Sequence, residues 1–250
     1  MIHTYAIGHD MKRKLYIRQT SSTNELCWEM NREKALPDGF VVHTDFQSTG
    51  KGQPGNTWES VAGKNLLFSM VLHPVGIPVA ESFLISQLVS VAIKNTLDEY
   101  TSDITVKWPN DIYWKDKKLA GILIENSLQG NQIKIVVIGV GLNVNQKVFL
   151  SNAPNPVSLM EIAGKTQNRK RLLERICQNL MSLYINLNKA NIRTDYGESL
   201  YRKDGFYTFQ AEKELFQAKI IEVQSDGQLI LEKETGDRKR FYFKEVQFVI

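Results

Sequence analysis

The chain has 250 residues, 42% of them apolar and 23% charged, with a formal net charge of +4. These are ordinary globular proportions, so disorder is not indicated, and no apolar run approaches the roughly 20 residues that span a bilayer. Two distant cysteines, Cys27 and Cys177, form no CxxC, and four scattered histidines form no HExxH-type cluster. This argues against a disulfide scaffold, a zinc ribbon and a protein-built metal site, and it fits a reducing cytosol. The mild basic excess suits an anionic substrate or an acidic partner but does not by itself point to nucleic acid.

In chain order, the opening MIHTYAIGHDMKRK has no continuous apolar stretch and does not read as a signal peptide. KLYIRQ (14–19) predicts a strand, Ser22 to Lys34 a helix, and FVVHTDFQ (40–47) a second strand. Ser22-Thr23-Asn24-Glu25 has the form of a capping box at the start of that helix. The glycine-rich stretch STGKGQPGNTWES (48–60) follows, then the apolar strand NLLFSMVLHP (65–74). Residues 79–99 carry Leu84, Leu88, Val91, Ala92 and Leu97 at helical spacing. Ile104 to about Asn145 is strand-rich and includes KLAGILIEN and QIKIVVIGVGLNVN, whereas 146–159 has the Asn/Pro composition of a loop. Arg169 to Leu187 predicts an amphipathic helix, with Leu172, Leu173, Ile176, Leu180, Met181 and Tyr184 on one face, and a second helix ends near Tyr201.

From Gly205 onward, short alternating runs separated by Ser225-Asp226-Gly227 and Gly236-Asp237 predict a small antiparallel barrel of four or five strands. The expected domains are therefore 1–204 and 205–250. The larger one is α+β, because its helices and strands show no regular βαβ alternation.

Gly50-Lys51-Gly52-Gln53-Pro54-Gly55 matches GxGxxG. A dinucleotide fold requires a helix directly after it, because the pyrophosphate sits on that helix N-terminus, and here a strand follows. A P-loop needs Gly-Lys-Ser/Thr, whereas Gly55 is followed by Asn56-Thr57, and the downstream kinase motifs are missing. Two readings remain: a flexible surface turn, or a loop whose backbone N–H groups approach an anion closely while Lys51 adds charge.

Residues 107–125 read KWPNDIYWKDKKLAGILIE. Pro109 fixes its own φ and pushes Trp108 toward extended geometry, and Asn110 and Asp111 offer acceptor oxygens at a strand start. Lys118 enters the apolar strand LAGILIE, either as a snorkelling edge residue or as an ammonium directed into a pocket.

Taken together, these segments resemble the biotin–protein ligase family. The resemblance is carried by Ser22-Thr23-Asn24, DFQSTGKGQPGNTW (45–58), KWPNDI followed closely by KLAGIL, and IGVGLNVN (138–145), in the family's order. It covers nearly the whole chain and implies a mixed-sheet catalytic domain of the biotin/lipoate ligase type with a C-terminal SH3-like β-barrel. It also implies ATP-dependent activation of biotin to biotinyl-adenylate and transfer to a lysine of a biotin carboxyl carrier protein or domain. Mg²⁺ would be bound through the phosphates, and the enzyme would be cytoplasmic.

By the same resemblance, Ser22, Thr23 and Gln47 line the pocket for the ureido ring of biotin, with Asn24, Gly50 and Gly121 among the biotin contacts. Lys51, Gly52 and Gln53 close over biotin and phosphate, and Lys118 meets the reacting carboxylate and α-phosphate, so Lys118 and Lys51 are the expected catalytic cations. Trp58, Asn110 and Asn143 fall where adenylate contacts are expected, although Trp58 also suits a core or lid position and Asn143 a turn. Asp111 either orients and deprotonates the acceptor amine or serves as a strand-start turn residue. One departure stands out: many members carry Gly-Arg-Gly-Arg where this chain has Gly50-Lys51-Gly52-Gln53. A guanidinium grips phosphate bidentately, whereas Lys51 is a point charge and Gln53 carries none.

A lipoate–protein ligase and a non-catalytic biotin-sensing regulator are the alternatives. Some relatives carry an N-terminal helix-turn-helix. Here Ser-Thr-Asn begins at residue 22, so no such domain and no specific DNA binding are expected, and the family includes both monomers and homodimers. A nucleic-acid module would rest only on the basic run from Arg238 to Lys244, which reads more simply as a solvated strand face.

Overall fold

The computed structural model describes residues 13–53, 55–150 and 155–250. Most of the opening segment judged not to be a signal peptide, Pro54 of the glycine loop and residues 151–154 of the Asn/Pro loop lie outside the described residues.

Seven strands form one mixed sheet: β1 (Lys14–Thr20), β2 (Phe40–Gln47), β3 (Leu66–Leu72), β4 (Ile104–Lys107), β5 (Asp111–Trp114), β6 (Lys117–Gln129) and β7 (Gln132–Leu142), in the order β1-β2-β3-β7-β6-β5-β4. β1 runs parallel to β2, which requires a crossover, and α1 (Thr23–Glu33) supplies it; the other neighbours are antiparallel. The period-2 alternation of strand side chains divides the apolar residues between two faces. Val41, Phe68, Met70 and Ile138 face α2 (Phe83–Leu97) and α4 (Arg169–Ile185), while Val42, Val71 and Val137 face Cys27 of α1. Both faces of β3 are covered, so every one of its residues is buried.

The helices follow the predicted apolar stripes. α4 starts at Asn168, whose side chain accepts from the Arg171 N–H, and buries Leu172, Leu173, Ile176 and Leu180; Met181 and Tyr184 are only half-buried. The helical stretch expected at 79–99 divides into a 3₁₀ turn, Val79–Glu81, and α2. Glu81 in that turn is held by Lys189 and Arg193 of α5 (Lys189–Glu198). The loop expected over 146–159 gives way to a short helix, α3 (Leu159–Ala163), capped by Ser158. The capping box expected at Ser22 is only half made. Ser22 Oγ accepts from Glu25 N–H at 3.5 Å, but the Glu25 carboxylate turns outward to Ser21 and Lys51, where two donors outcompete one backbone N–H.

The C-terminal strands β8 (Tyr207–Ala211), β9 (Glu214–Val223), β10 (Leu229–Lys233), β11 (Arg238–Phe241) and β12 (Gln247–Phe248) form a second sheet of the SH3-like type, antiparallel and ordered β11-β10-β9-β8-β12. Its buried Phe209, Leu229 and Phe241 join the same continuous core as the seven-stranded sheet. Arg238, Lys239 and Arg240 are exposed, as expected for a solvated strand face. Among the described residues, no helix is long and apolar enough to cross a membrane.

Candidate active site

A cleft of about 810 Å³ opens on the α1 side of the large sheet and is closed at one end by the C-terminal barrel. Its floor is a bare strip. Gly121 of β6 pairs with Gly141 of β7, and Gly139 lies two residues along on the same face. A Cβ on Gly141 would stand 2.3 Å from the Trp58 ring, and one on Gly121 2.9 Å from it. Only glycine lets the indole of the loop lie against the strands. The Trp58 Nε1 donor is buried there without a partner among the described residues.

At one end of the floor the first turn of α1 delivers a polar cluster. Gln47 Oε1 accepts from both Thr23 N–H (2.8 Å) and Thr23 Oγ1 (3.0 Å), which leaves the Gln47 Nε2 amide as a donor. Ser69 Oγ lies 2.7 Å from Thr23 Oγ1 and donates to Asn24 Oδ1 at 2.6 Å. Three oxygen–oxygen contacts are thus served by two hydroxyl protons, those of Thr23 and Ser69. The cluster is one donor short and is suited to a ligand that brings N–H groups.

The other wall carries charge. Lys118 Nζ donates to Asp111 Oδ2 at 2.7 Å and lies 5.9 Å from the centre of the Trp58 ring. Lys118 therefore points into the cleft and is not a snorkelling edge lysine. Its backbone holds the far end of the Asn/Pro loop, through Lys118 N–H to Asn155 O and Val157 N–H to Lys118 O. Asp111 is the strand partner of Lys107, whose ammonium donates to Tyr113 Oη at 3.2 Å and lies over the Tyr113 and Phe248 rings. Burial pushes the Lys107 pKa down, Asp111 partly offsets this, and Lys118 adds to it. Asn110, on the turn that contains the cis Trp108–Pro109 bond, donates to Ile122 O at 3.0 Å.

The described residues of the glycine-rich loop form a narrow hairpin beside the cleft. Gly52 N–H donates to Asn56 O, Trp58 N–H to Gly50 O, and Lys51 bridges to Thr57. Lys51 Nζ pairs with Glu25 Oε1 at 2.5 Å, a bond that raises the lysine pKa and lowers that of the glutamate.

Of the residues singled out from the sequence, Ser22, Thr23, Asn24 and Gln47 line the polar end. Lys51, Gly52, Gln53 and Trp58 line the cleft from the loop, and Asn110, Asp111, Lys118 and Gly121 from the opposite strands. Gly50 and Asn143 do not line it. Gly50 closes the base of the hairpin, and Asn143 is buried, with its N–H on Leu119 O and its carbonyl accepting from Leu159 N–H, as a turn residue would be. Sequence reasoning missed Gly139, Gly141, Lys107 and the barrel wall of Phe243, Lys244 and Phe248, and Ser69, which is buried behind the lining on Thr23 and Asn24. Ser69 had a legible signal: one hydroxyl inside the apolar run LLFSMVL must find a partner when buried.

Fold and cleft together define one site, a polar pocket and a cationic wall joined by a glycine floor. The chain belongs to the biotin/lipoate A/B protein ligase family, whose profile matches residues 16–143, more than half of it. It is 32% identical over 168 residues to the bifunctional ligase/repressor BirA of Bacillus subtilis, covering 65% of this chain and 50% of that protein. To the biotin–[acetyl-CoA-carboxylase] ligase of Mycobacterium tuberculosis it is 29% identical over 186 residues, covering 72% of this chain and 68% of the relative. The chain thus spans about half the length of the first of these relatives. In fold it is similar to the biotin protein ligase from Aquifex aeolicus in complex with biotin and ATP, with a TM-score of 0.73 at 23% identity, over 95% of this chain and 100% of that one.

Proposed function

We propose that this protein activates biotin with ATP and transfers it to a lysine of a biotin carboxyl carrier protein or domain. The observation that carries this reading is one cleft with a proton-poor oxygen cluster at one end and the Lys118 ammonium at the other wall. Biotin offers the complementary pair: a ureido ring with N–H donors and a carbonyl, and a carboxylate on a flexible apolar chain. The ureido N–H groups make up the missing donor, and the Gln47 amide suits the ureido carbonyl. The relative named as a biotin–[acetyl-CoA-carboxylase] ligase supports the same assignment.

Mg-ATP enters as the second substrate. A biotin carboxylate oxygen attacks the α-phosphorus; the new P–O bond forms as the bond to pyrophosphate breaks. Two anions must meet, so catalysis is mainly positioning and charge stabilisation by Lys118 and Lys51, with Gly52 and Gln53 closing over them. In the second step a neutral acceptor amine attacks the acyl carbon, the C–N bond forms, AMP leaves, and the amine gives up a proton. Asp111, beside Lys118, is the proton acceptor on that wall. Trp58 and Asn110 face the adenylate in this reading. The ligase unit comprises residues 1–204 and the barrel 205–250, and the protein works in the cytoplasm, where ATP and carrier are found.

Lipoate is the weaker substrate on the same grounds, because a dithiolane brings no N–H and leaves the Thr23–Ser69–Asn24 cluster short of a donor. The test is incubation with a carboxyl-carrier domain, Mg-ATP and either acid, followed by intact mass spectrometry. A gain of one biotinyl group is expected. A lipoyl gain would reassign the substrate, and biotin binding without pyrophosphate release would make the protein a sensor.

A further inference from the structure

Glu125 sits where the sheet pattern calls for an apolar residue. Across the four strands β2, β3, β7 and β6 the row beneath α1 reads Phe40, Val71, Val137, Glu125. The first three belong to the apolar cluster under that helix. Glu125 Oε2 accepts from two donors one helical turn apart on α1: Asn24 Nδ2 at 2.8 Å and Trp28 Nε1 at 3.3 Å. A carboxylate only accepts, so this contact, the shorter of the two that Asn24 Nδ2 makes (Leu123 O accepts at 3.4 Å), decides which way the Asn24 amide faces.

The consequence runs along the cluster. With Nδ2 turned to Glu125, Asn24 presents Oδ1 to Ser69, and Ser69 must spend its one proton there. Thr23 then has one proton for both its Ser69 and its Gln47 contact, and one of those two oxygen contacts lacks a proton. Were the amide reversed, Nδ2 would donate to Ser69, Ser69 to Thr23 and Thr23 to Gln47, and every contact would be satisfied without a ligand. We propose that Glu125 is a positioning residue that sets the hydrogen-bond polarity of the pocket, keeping its oxygens available to a ligand that brings N–H donors. This rests on the biotin reading above and names what makes the pocket select a ureido group.

The experiment measures biotin affinity of the full chain by calorimetry, with the melting temperature as the fold control. Glu125→Gln keeps an acceptor facing α1, and its affinity should stay within about threefold of the unaltered protein. Glu125→Lys offers donors only and turns the amide over, which should weaken biotin by about 10²-fold, the upper scale for leaving a buried polar group unmatched. Asn24→Asp combined with Glu125→Lys restores an acceptor-only group facing Ser69 and should regain at least tenfold over Glu125→Lys. Both lysine variants lose the Trp28 bond, so their difference reports polarity alone. If Glu125→Lys does not fold, Glu125→Met takes its place, with about tenfold weakening expected from loss of the acceptor. Unchanged affinity in the single lysine or methionine variant, equal weakening by Glu125→Gln, or no rescue by the double variant would each overturn the proposal. Failure of the unaltered protein to bind biotin would instead remove the ligase reading.

Discussion

At the scale of single residues, the charged wall makes distinct demands on its lysines. Lys118 is bound to Asp111 and faces the cleft, so Lys118→Ala should fold normally while slowing adenylate formation by about 10²-fold, the usual loss for one preorganised charge contact. Pyrophosphate exchange driven by biotin reads this directly, and near-normal exchange would remove Lys118 from the chemistry. The hairpin carries one cation, Lys51, which Glu25 already holds, and a neutral Gln53. Gln53→Arg adds a bidentate phosphate donor and should slow release of preformed biotinyl-adenylate, whereas Lys51→Ala should hasten it. Release measured without acceptor decides the matter; an unchanged or faster rate in Gln53→Arg would shift retention to other loop contacts. Away from the cleft, burial, reinforced by Lys14, pushes the His43 pKa from 6.5 down to about 4. The unfolded chain takes up a proton near pH 6.5 and the native one does not until about pH 4, so His43 costs stability as pH falls through that window. The loss is up to about 3 kcal/mol. His43→Gln should therefore lose less melting temperature than the unaltered protein between pH 7.5 and 4.5 (about the edges of that window). Equal losses would show that His43 titrates alike in both states.

At the scale of elements, the two loops bordering the cleft are tied at their roots by one buried side chain. Gln146 Oε1 accepts from Val61 N–H at 2.9 Å and Asn65 Nδ2 at 2.7 Å. Its Nε2 donates to Glu59 Oε1 at 3.2 Å, and Glu59 in turn accepts from Leu150 N–H. Asn65 Oδ1 completes the set by accepting from Val144 N–H. The arm of the hairpin that bears Trp58 thus runs directly into a fixed base. Gln146→Ala leaves the Val61 N–H without its acceptor, at a cost of about 1–3 kcal/mol. Hydrogen exchange should speed up in both 59–65 and 146–150. Faster exchange in one segment only would mean that the two loops are anchored separately.

At the scale of the whole molecule, the barrel is a wall of the cleft as well as an appendage. Trp108 Nε1 donates to Gly227 O at 2.9 Å, and the Trp108 ring meets Phe243 edge-on. The two sheets share one continuous apolar core, which predicts a single cooperative unfolding transition. Trp108→Ala removes a nearly buried ring and the bond to the barrel together, a loss of about 3–5 kcal/mol. Calorimetry should show one transition for the unaltered protein and a separate, earlier barrel transition for the variant. Two transitions in the unaltered protein would show that the barrel unfolds independently of the larger sheet.

The sequence by itself determined what local rules encode. Runs rich in apolar and β-branched residues marked the strands of FVVHTDFQ and KLAGILIE, 3.6-residue spacing marked α2 and α4, and Gly and Asp punctuation marked the barrel hairpins, because each is read from neighbours within a few residues. The motifs also named most of the cleft, since KWPND and K-x-x-G-I-L are contiguous strings. What only tertiary structure decided depends on contacts between distant segments. Lys118 became a pocket lysine only when Asp111 and the Trp58 ring were brought beside it. Asn143 fell outside the cleft because its backbone is used to clasp β6 to α3. Ser69 and Glu125 carry no motif, and each is ordinary in its own strand. Their importance comes from α1 crossing above them, so that Asn24 and Trp28 complete a network spanning about a hundred residues of chain. Hydrogen-bond polarity is a property of such closed networks and cannot be read from one strand at a time.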